Sequence, residues 1–241
     1  MLKLHSVEKV LPYALLGMTA VTGVIDAISY LALGRVFTAN MTGNLVFLAF
    51  ASTGAPEVSF ARALSALLAF LAGAAVSGRI LASTGLEDAI RPAMFSFGLE
   101  TAFLVAATVS AVGYNRNSTS VSFQLYSIIV LTAVAMGIKN AAVRKLGVPD
   151  LTTTVLTLTI TGLAADSSLA GGSNPRWQRR IGSILAMALG AALGTIVVRH
   201  SVFAALGLAA AISLFCFAAL LFSVRWNSPG EPVRTAQQST V

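Results

Sequence analysis

Six apolar runs, each long enough to cross a bilayer, constrain this chain more than any other feature. They are Val10 to Leu33, Val58 to Ala82, Ala93 to Gly113, Val121 to Ile138, Ile181 to Val198 and Val202 to Val224. A helix needs roughly 17 to 25 residues to cross a hydrocarbon core of about 30 Å. In that medium backbone N–H and C=O groups must satisfy each other, which a helix does within one segment. The runs therefore predict an all-α polytopic transmembrane bundle lying in a lipid bilayer. Only 10% of residues are charged, where a soluble domain carries about 25%. Cys216 is the single cysteine and lies in the last run, so no intramolecular disulfide can form. It reads as a small buried hydrophobe.

Two further apolar segments are too short to span, roughly Met41 to Ala51 and the threonine-rich Leu151 to Ala165. If both crossed there would be eight spans. With a cytoplasmic N-terminus, Arg35, Arg79, Arg91, Lys139, Arg144, Lys145 and Arg199 would then lie outside, seven of the 16 basic residues. If neither crosses, only Arg35, Arg62, Arg116 and Arg199 lie outside. Cytoplasmic loops carry the excess of Lys and Arg, so the second topology is preferred. It has six full spans, two short re-entrant or half-membrane segments and both termini in the cytoplasm.

The order span, short segment, span, span then occurs twice, over about 10–113 and 120–224. A shift of 114 residues aligns Gly23-Val24-Ile25-Asp26-Ala27 with Gly137-Ile138-Lys139-Asn140-Ala141, and Phe37-Thr38 with Leu151-Thr152. Three crossings per half place the halves in opposite orientation. Such inverted repeats with one broken element per half build many secondary transporters, with the site between the broken elements.

Residues 10–224 form one transmembrane domain, preceded by a cytoplasmic segment, 1–9; the first run, about 24 residues with Asp26 inside it, exceeds the 7–15-residue core of a signal peptide and is expected to be a retained first span. The tail 225–241 is polar, holds Pro229 and Pro232, and is expected to be disordered. Gly171-Gly172-Ser173-Asn174-Pro175 marks a cytoplasmic loop, and Trp177 and Trp226 sit where indole rings anchor helices. The net charge of +7 is scattered among loops without a basic stripe, which argues against nucleic acid. Gly190 and Gly194 with Ala186, and Ala69 with Gly73 and Ser77, make small-residue seams for close helix contact within one chain or between copies, so a homo-oligomer is one expectation.

The segment Phe37-Thr38-Ala39-Asn40-Met41-Thr42-Gly43-Asn44 interrupts this apolar pattern, and Thr152, Thr154, Thr157 and Thr161-Gly162 echo it in the second half. Asn40, Thr42 and Asn44 offer oxygens and amides, Thr38 a hydroxyl, and Gly43 permits close approach. Either they line a polar cavity or they cap a helix and satisfy a turn; the threonines can instead bond their own helix. Asp26 lies about 10 Å below the outer surface, a depth at which an unpaired carboxylate is costly and functional by default. Glu100 lies within the third full span. Lys139, with Asn140 near the inner end of the next span, can snorkel to the headgroups or be a buried cation paired with Asp26 or Glu100. These three are the candidates for proton or ion coupling. Asp26, Thr38, Asn40, Thr42, Gly43, Asn44, Asn140, Thr152, Thr154 and Thr157 are the candidates for solute binding.

No catalytic residue, metal site or cofactor is expected. His5 and His200 fall outside the spans, and no H-E-x-x-H, nucleotide loop or Cys/His cluster occurs. An intramembrane hydrolase would need a nucleophile and a base at membrane depth.

Gly23-Val24-Ile25-Asp26-Ala27-Ile28-Ser29-Tyr30 followed by Phe37-Thr38-Ala39-Asn40-Met41-Thr42-Gly43-Asn44 resembles the YoaK-like family of small bacterial membrane proteins, as do Gly137-Ile138-Lys139-Asn140-Ala141-Ala142 and Thr161-Gly162. The resemblance covers about Leu11 to Val224. The family pattern G-x-x-D-A and N-x-T-G-N is matched at Gly23, Asp26, Ala27, Asn40, Thr42, Gly43 and Asn44. The resemblance implies a bacterial inner-membrane protein and names no substrate.

The expected function is a small secondary transporter or permease for a polar or anionic solute bound between 37–44 and 152–162. The alternative is a non-transporting scaffold or accessory subunit, whose polar segments are structural.

Overall fold

The computed structural model describes residues 5–82, 90–115, 123–148 and 156–225. Their eight α-helices run in chain order as α1 (His5–Ala32), α2 (Met41–Ser52), α3 (Phe60–Ala82), α4 (Ile90–Ser110), α5 (Phe123–Leu146), α6 (Leu156–Ala165), α7 (Trp177–His200) and α8 (Val202–Arg225). Six are long and apolar enough to span a membrane. The other two, α2 with 12 residues and α6 with 10, reach about 18 and 15 Å at 1.5 Å per residue, half of a bilayer core. Each follows the first long helix of its half, as the sequence pattern predicts. The tail beyond Arg225 and residues 151–155 lie outside the described residues.

The packing follows the repeat. The two most extensive contacts are α3 on α5 and α1 on α7; next come α4 on α5 and α1 on α8. Exchanging the halves turns each contact into its counterpart. Every half thus lays its first long helix against the second and third long helices of the other. Three long helices in each half are what the inverted repeat expected from the sequence requires.

Glycines make these contacts close. A Cβ on Gly23 would strike the backbone of Met187 and Ala191, and one on Gly190 would strike Ala20. In the other half a Cβ on Gly137 would strike Phe70 and Ala74, and one on Gly73 would strike Val134. A shift of 117 residues turns Phe70, Gly73 and Ala74 into Met187, Gly190 and Ala191. Lipid supplies no hydrophobic drive for helix association, so backbone proximity at small residues supplies dispersion contact instead. The two seams hold the halves of one chain together: Gly73, Ser77, Gly190 and Gly194 are all buried.

α1 stops where Gly34 and Arg35 turn left-handed, with φ of 84° and 56°, and the Arg35 amide bonds Tyr30 O at 3.2 Å. The same end of the bundle gathers Arg62, which reaches Gly34 O, and Tyr114, whose hydroxyl donates to Ala32 O at 3.1 Å. Partial burial raises the Tyr114 hydroxyl above its usual pKa, with the Arg62 guanidinium opposing. This is the sparsely basic end that the charge count assigns to the outside.

Candidate functional site

Met18, Thr22 and Asp26 recur every fourth residue on α1 and so share one helix face. Lys139 of α5 meets that face. It is 0% exposed, and an ammonium has three donors. They go to Met18 O at 3.3 Å, the Thr22 hydroxyl at 2.5 Å and the Met136 sulfur at 3.3 Å. Thr22 can accept because its own proton points to Met18 O, 3.0 Å away. The snorkelling expected of Lys139 is therefore overturned. The helix runs on to Leu146 instead of ending near Ile138, which sets Lys139 about 10 Å inside the bundle.

Two carboxyls lie in the field of this ammonium, Glu100 on α4 and Asp26 on α1. Glu100 is 0% exposed. Its Oε2 accepts from the Ser213 hydroxyl of α8 at 2.9 Å, and Ser213 in turn shares a bond with Thr101 at 2.7 Å. Asp26 is 8% exposed. One oxygen of each acid, Asp26 Oδ1 and Glu100 Oε1, has no partner. Since the Lys139 donors are already used, attraction to both acids acts through space, at a dielectric where it is stronger than in water. With both acids ionised the cluster would carry one net negative charge, which is costly at this depth unless a proton or another positive charge neutralises it.

The polar octet divides into a structural part and an inward part. Asn44 is fully buried; its Oδ1 accepts from the Phe37 N–H at 2.9 Å, and its amide donates to Phe37 O. It supplies both hydrogen bonds that Phe37 lacks once the helix has stopped. Asn40 caps α2 by accepting from the Gly43 N–H at 3.3 Å. Gly43 lies against the Phe37 ring, and that ring stacks between Tyr30 and Phe47 at 5.4 and 5.5 Å. Asn40 and Thr42 are exposed. Thr38 is 0% exposed and its hydroxyl has no partner. With the neighbouring Ala39 it is the buried end of the octet.

The second-half counterpart differs. Thr152 and Thr154 lie outside the described residues, Thr157 and Thr161 are exposed on α6, and Thr159 is buried. Arg180 of α7, 6% exposed, fastens this end by donating to Gly162 O at 2.5 Å and pairing with Asp166 at 2.8 Å. Asn140 is buried beside Lys139 and is the repeat counterpart of Asp26. α2 packs on α3, and α6 on α7.

The structure thus buries Asp26, Glu100 and Lys139 within one another's field, and leaves Asn40, Thr42 and Thr157 at the surface. Sequence reasoning missed Thr22, Ser213 and Arg180. Thr22 was findable, lying four residues before Asp26 on the same face; a lone serine in α8 gave no signal. A separate cavity of about 480 Å³ at the Tyr114 end of the bundle is lined by Tyr114, Asn115, Arg199, His200 and Ser201, among others.

The chain is similar to the UPF0700 transmembrane protein YoaK of Bacillus subtilis (strain 168), with 33% identity over 155 residues. The match covers 64% of this chain and 65% of the relative, slightly less than two thirds of the relative's length. No solved structure matches. The family described as "Protein of unknown function (DUF1275)" matches residues 14–219, a stretch that runs from α1 into α8 and includes every residue of the charged core. This multi-pass membrane protein therefore belongs to the DUF1275 family, whose members include YoaK-like proteins.

Proposed function

We propose that the chain is a small ion-coupled secondary transporter or permease of the bacterial inner membrane, with both termini cytoplasmic and no enzymatic activity. Its cargo is a polar or anionic small solute. The observation that carries this reading is the buried Asp26–Lys139–Glu100 cluster. Its acids come from one half of an inverted repeat and its lysine from the other. Intramembrane ionisable groups mark ion and substrate pathways, and a cluster divided between two halves changes its internal distances whenever the halves rock. The outer cavity with Arg199 and His200 offers a polar, basic approach for the solute, and the interval between 37–44 and 152–162 is its proposed route.

Uptake of labelled phosphate, sulfate, small carboxylates, amino acids and sugars into proteoliposomes, under an inward proton or sodium gradient, tests the reading. At least one should accumulate with wild-type protein and fail to do so with Asp26→Asn and Glu100→Gln. If a folded wild-type protein moves none of them, the transporter reading falls and a scaffold or accessory subunit takes its place.

A further inference from the structure

We infer that Glu100 binds a proton at the joint between the two halves of the chain, holding it on Oε2 and donating it to Ser213. The inference rests on the transporter reading only in treating this proton as the coupling ion; the site itself stands on three hydrogen bonds. Glu100 and Thr101 lie on α4, the last long helix of the first half, and Ser213 lies on α8, the last of the second. All three are buried. Ser213 meets Glu100 Oε2 at 2.9 Å and the Thr101 hydroxyl at 2.7 Å, and Thr101 meets Phe97 O at 2.9 Å. Each length falls within the range of about 2.5–3.0 Å for an O–H···O bond.

Counting protons decides the charge. A hydroxyl brings one proton, while an ionised carboxylate and a backbone carbonyl bring none. With Ser213 donating to an ionised Glu100, Thr101 has a single proton for two acceptors, Ser213 and Phe97 O. A proton on Oε2 supplies the shortfall by reversing the chain: Glu100 donates to Ser213, Ser213 to Thr101 and Thr101 to Phe97 O. Oε1 is then the carbonyl oxygen of a neutral acid, whose burial without a partner costs less than that of a charged oxygen. The same count makes Lys139 an ammonium. Its contacts with Met18 O, Thr22 and Met136, together with that of Thr22 to Met18 O, use four protons; an ammonium and one hydroxyl supply them, and a neutral amine falls one short.

The surroundings agree. Of the helices packed on α4, α5 presents Lys139, α8 presents the Cys216 thiol, and α3 keeps Arg62 and Arg79 near its ends. Asp26 of α1 faces the same ammonium. A neutral Glu100 leaves Asp26 as the one counter-charge to Lys139, so the core carries no net charge. On releasing its proton, Glu100 would take the Ser213 hydroxyl for itself, and Thr101 would give up either Ser213 or Phe97 O. Proton binding therefore strengthens the contact between α4 and α8, and a ligand that favours one arrangement of the halves shifts the balance between arrangements.

Infrared spectroscopy of the purified full chain at neutral pH tests the site. Wild type should show the C=O stretch of a protonated carboxyl, lost in Glu100→Gln and shifted in Ser213→Ala. Glu100→Gln, whose amide can donate to Ser213 as the acid does, should melt within about 2 °C of wild type. If that variant does not fold, isotopic labelling of glutamate carboxyls in wild type decides, since Glu100 is the one glutamate within the six long spans; the band should move with the label. A Glu100 that absorbs as a carboxylate overturns the inference, and so does a protonated band that ignores Ser213→Ala. A protonated Glu100 without any uptake would sink the transporter reading and leave this site. Proton-driven uptake by a protein whose Glu100 is ionised at rest would do the reverse.

Discussion

Lys139 of the second half donates to the hydroxyl of Thr22 in the first half at 2.5 Å, so the buried cation of one repeat is held by the other. The repeat is imperfect where this matters. Asn140 replaces the acid that Asp26 supplies in the first half, and Lys139 stands where the first half has Ile25. Asymmetry inside a symmetric frame gives the core its charge.

Removing the cation should cost more than removing an acid. Lys139→Ala leaves two buried carboxyls without their counter-charge, and losing one partner of a buried charged group costs about 3–5 kcal/mol. Lys139→Met combined with Glu100→Gln and Asp26→Asn restores neutrality and should recover most of the loss. Unfolding midpoints of single and combined variants in detergent check this, and a triple variant no more stable than Lys139→Ala alone would contradict it.

Thr22→Val keeps the shape and removes the acceptor of the ammonium. A drop of about 1–3 kcal/mol is expected, measured in the same assay. Thr22→Ser should stay near wild type.

The glycine contacts predict a paired response. Gly23→Ala and Gly137→Ala place a methyl group against backbone of the other half, and each should destabilise by about 1–3 kcal/mol or more. Gly78→Ala meets nothing within 4 Å and should be neutral or slightly stabilising, by up to about 1 kcal/mol. Equal effects at all three positions would refute the interlock.

Asn44 and Asn40 should separate sharply. Asn44→Ala strips both partners from the Phe37 backbone, each loss costing about 1–3 kcal/mol. Asn40→Ala removes one exposed cap, about 1 kcal/mol. If the two variants melt together, Asn44 does not seal the loop.

Opposite-side labelling tests the inversion. In a Cys216→Ser background, Ser52→Cys should react with an impermeant maleimide from outside, and Ser173→Cys only after permeabilisation. Same-side reaction of both would sink the six-span topology and the inverted repeat together.

Length, apolarity and basic residues are properties summed along a chain. The sequence by itself therefore determined the six spans, the two half-length helices after the first and fourth of them, and the 114-residue repeat. It marked Asp26, Glu100 and Lys139 because any charge at such depth stands out against an apolar background. Tertiary structure alone decided which of these groups meet. Lys139 turned inward because α5 continues to Leu146 and because Gly137 and Gly73 let α5 and α3 close up. Within the octet, composition made all the polar residues look alike. Only the fold directed Asn44 to the Phe37 backbone, left Asn40 and Thr42 at the surface, and buried the Thr38 hydroxyl. The reason is physical: a helix's rotation about its axis is set by its neighbours, and no local pattern records it.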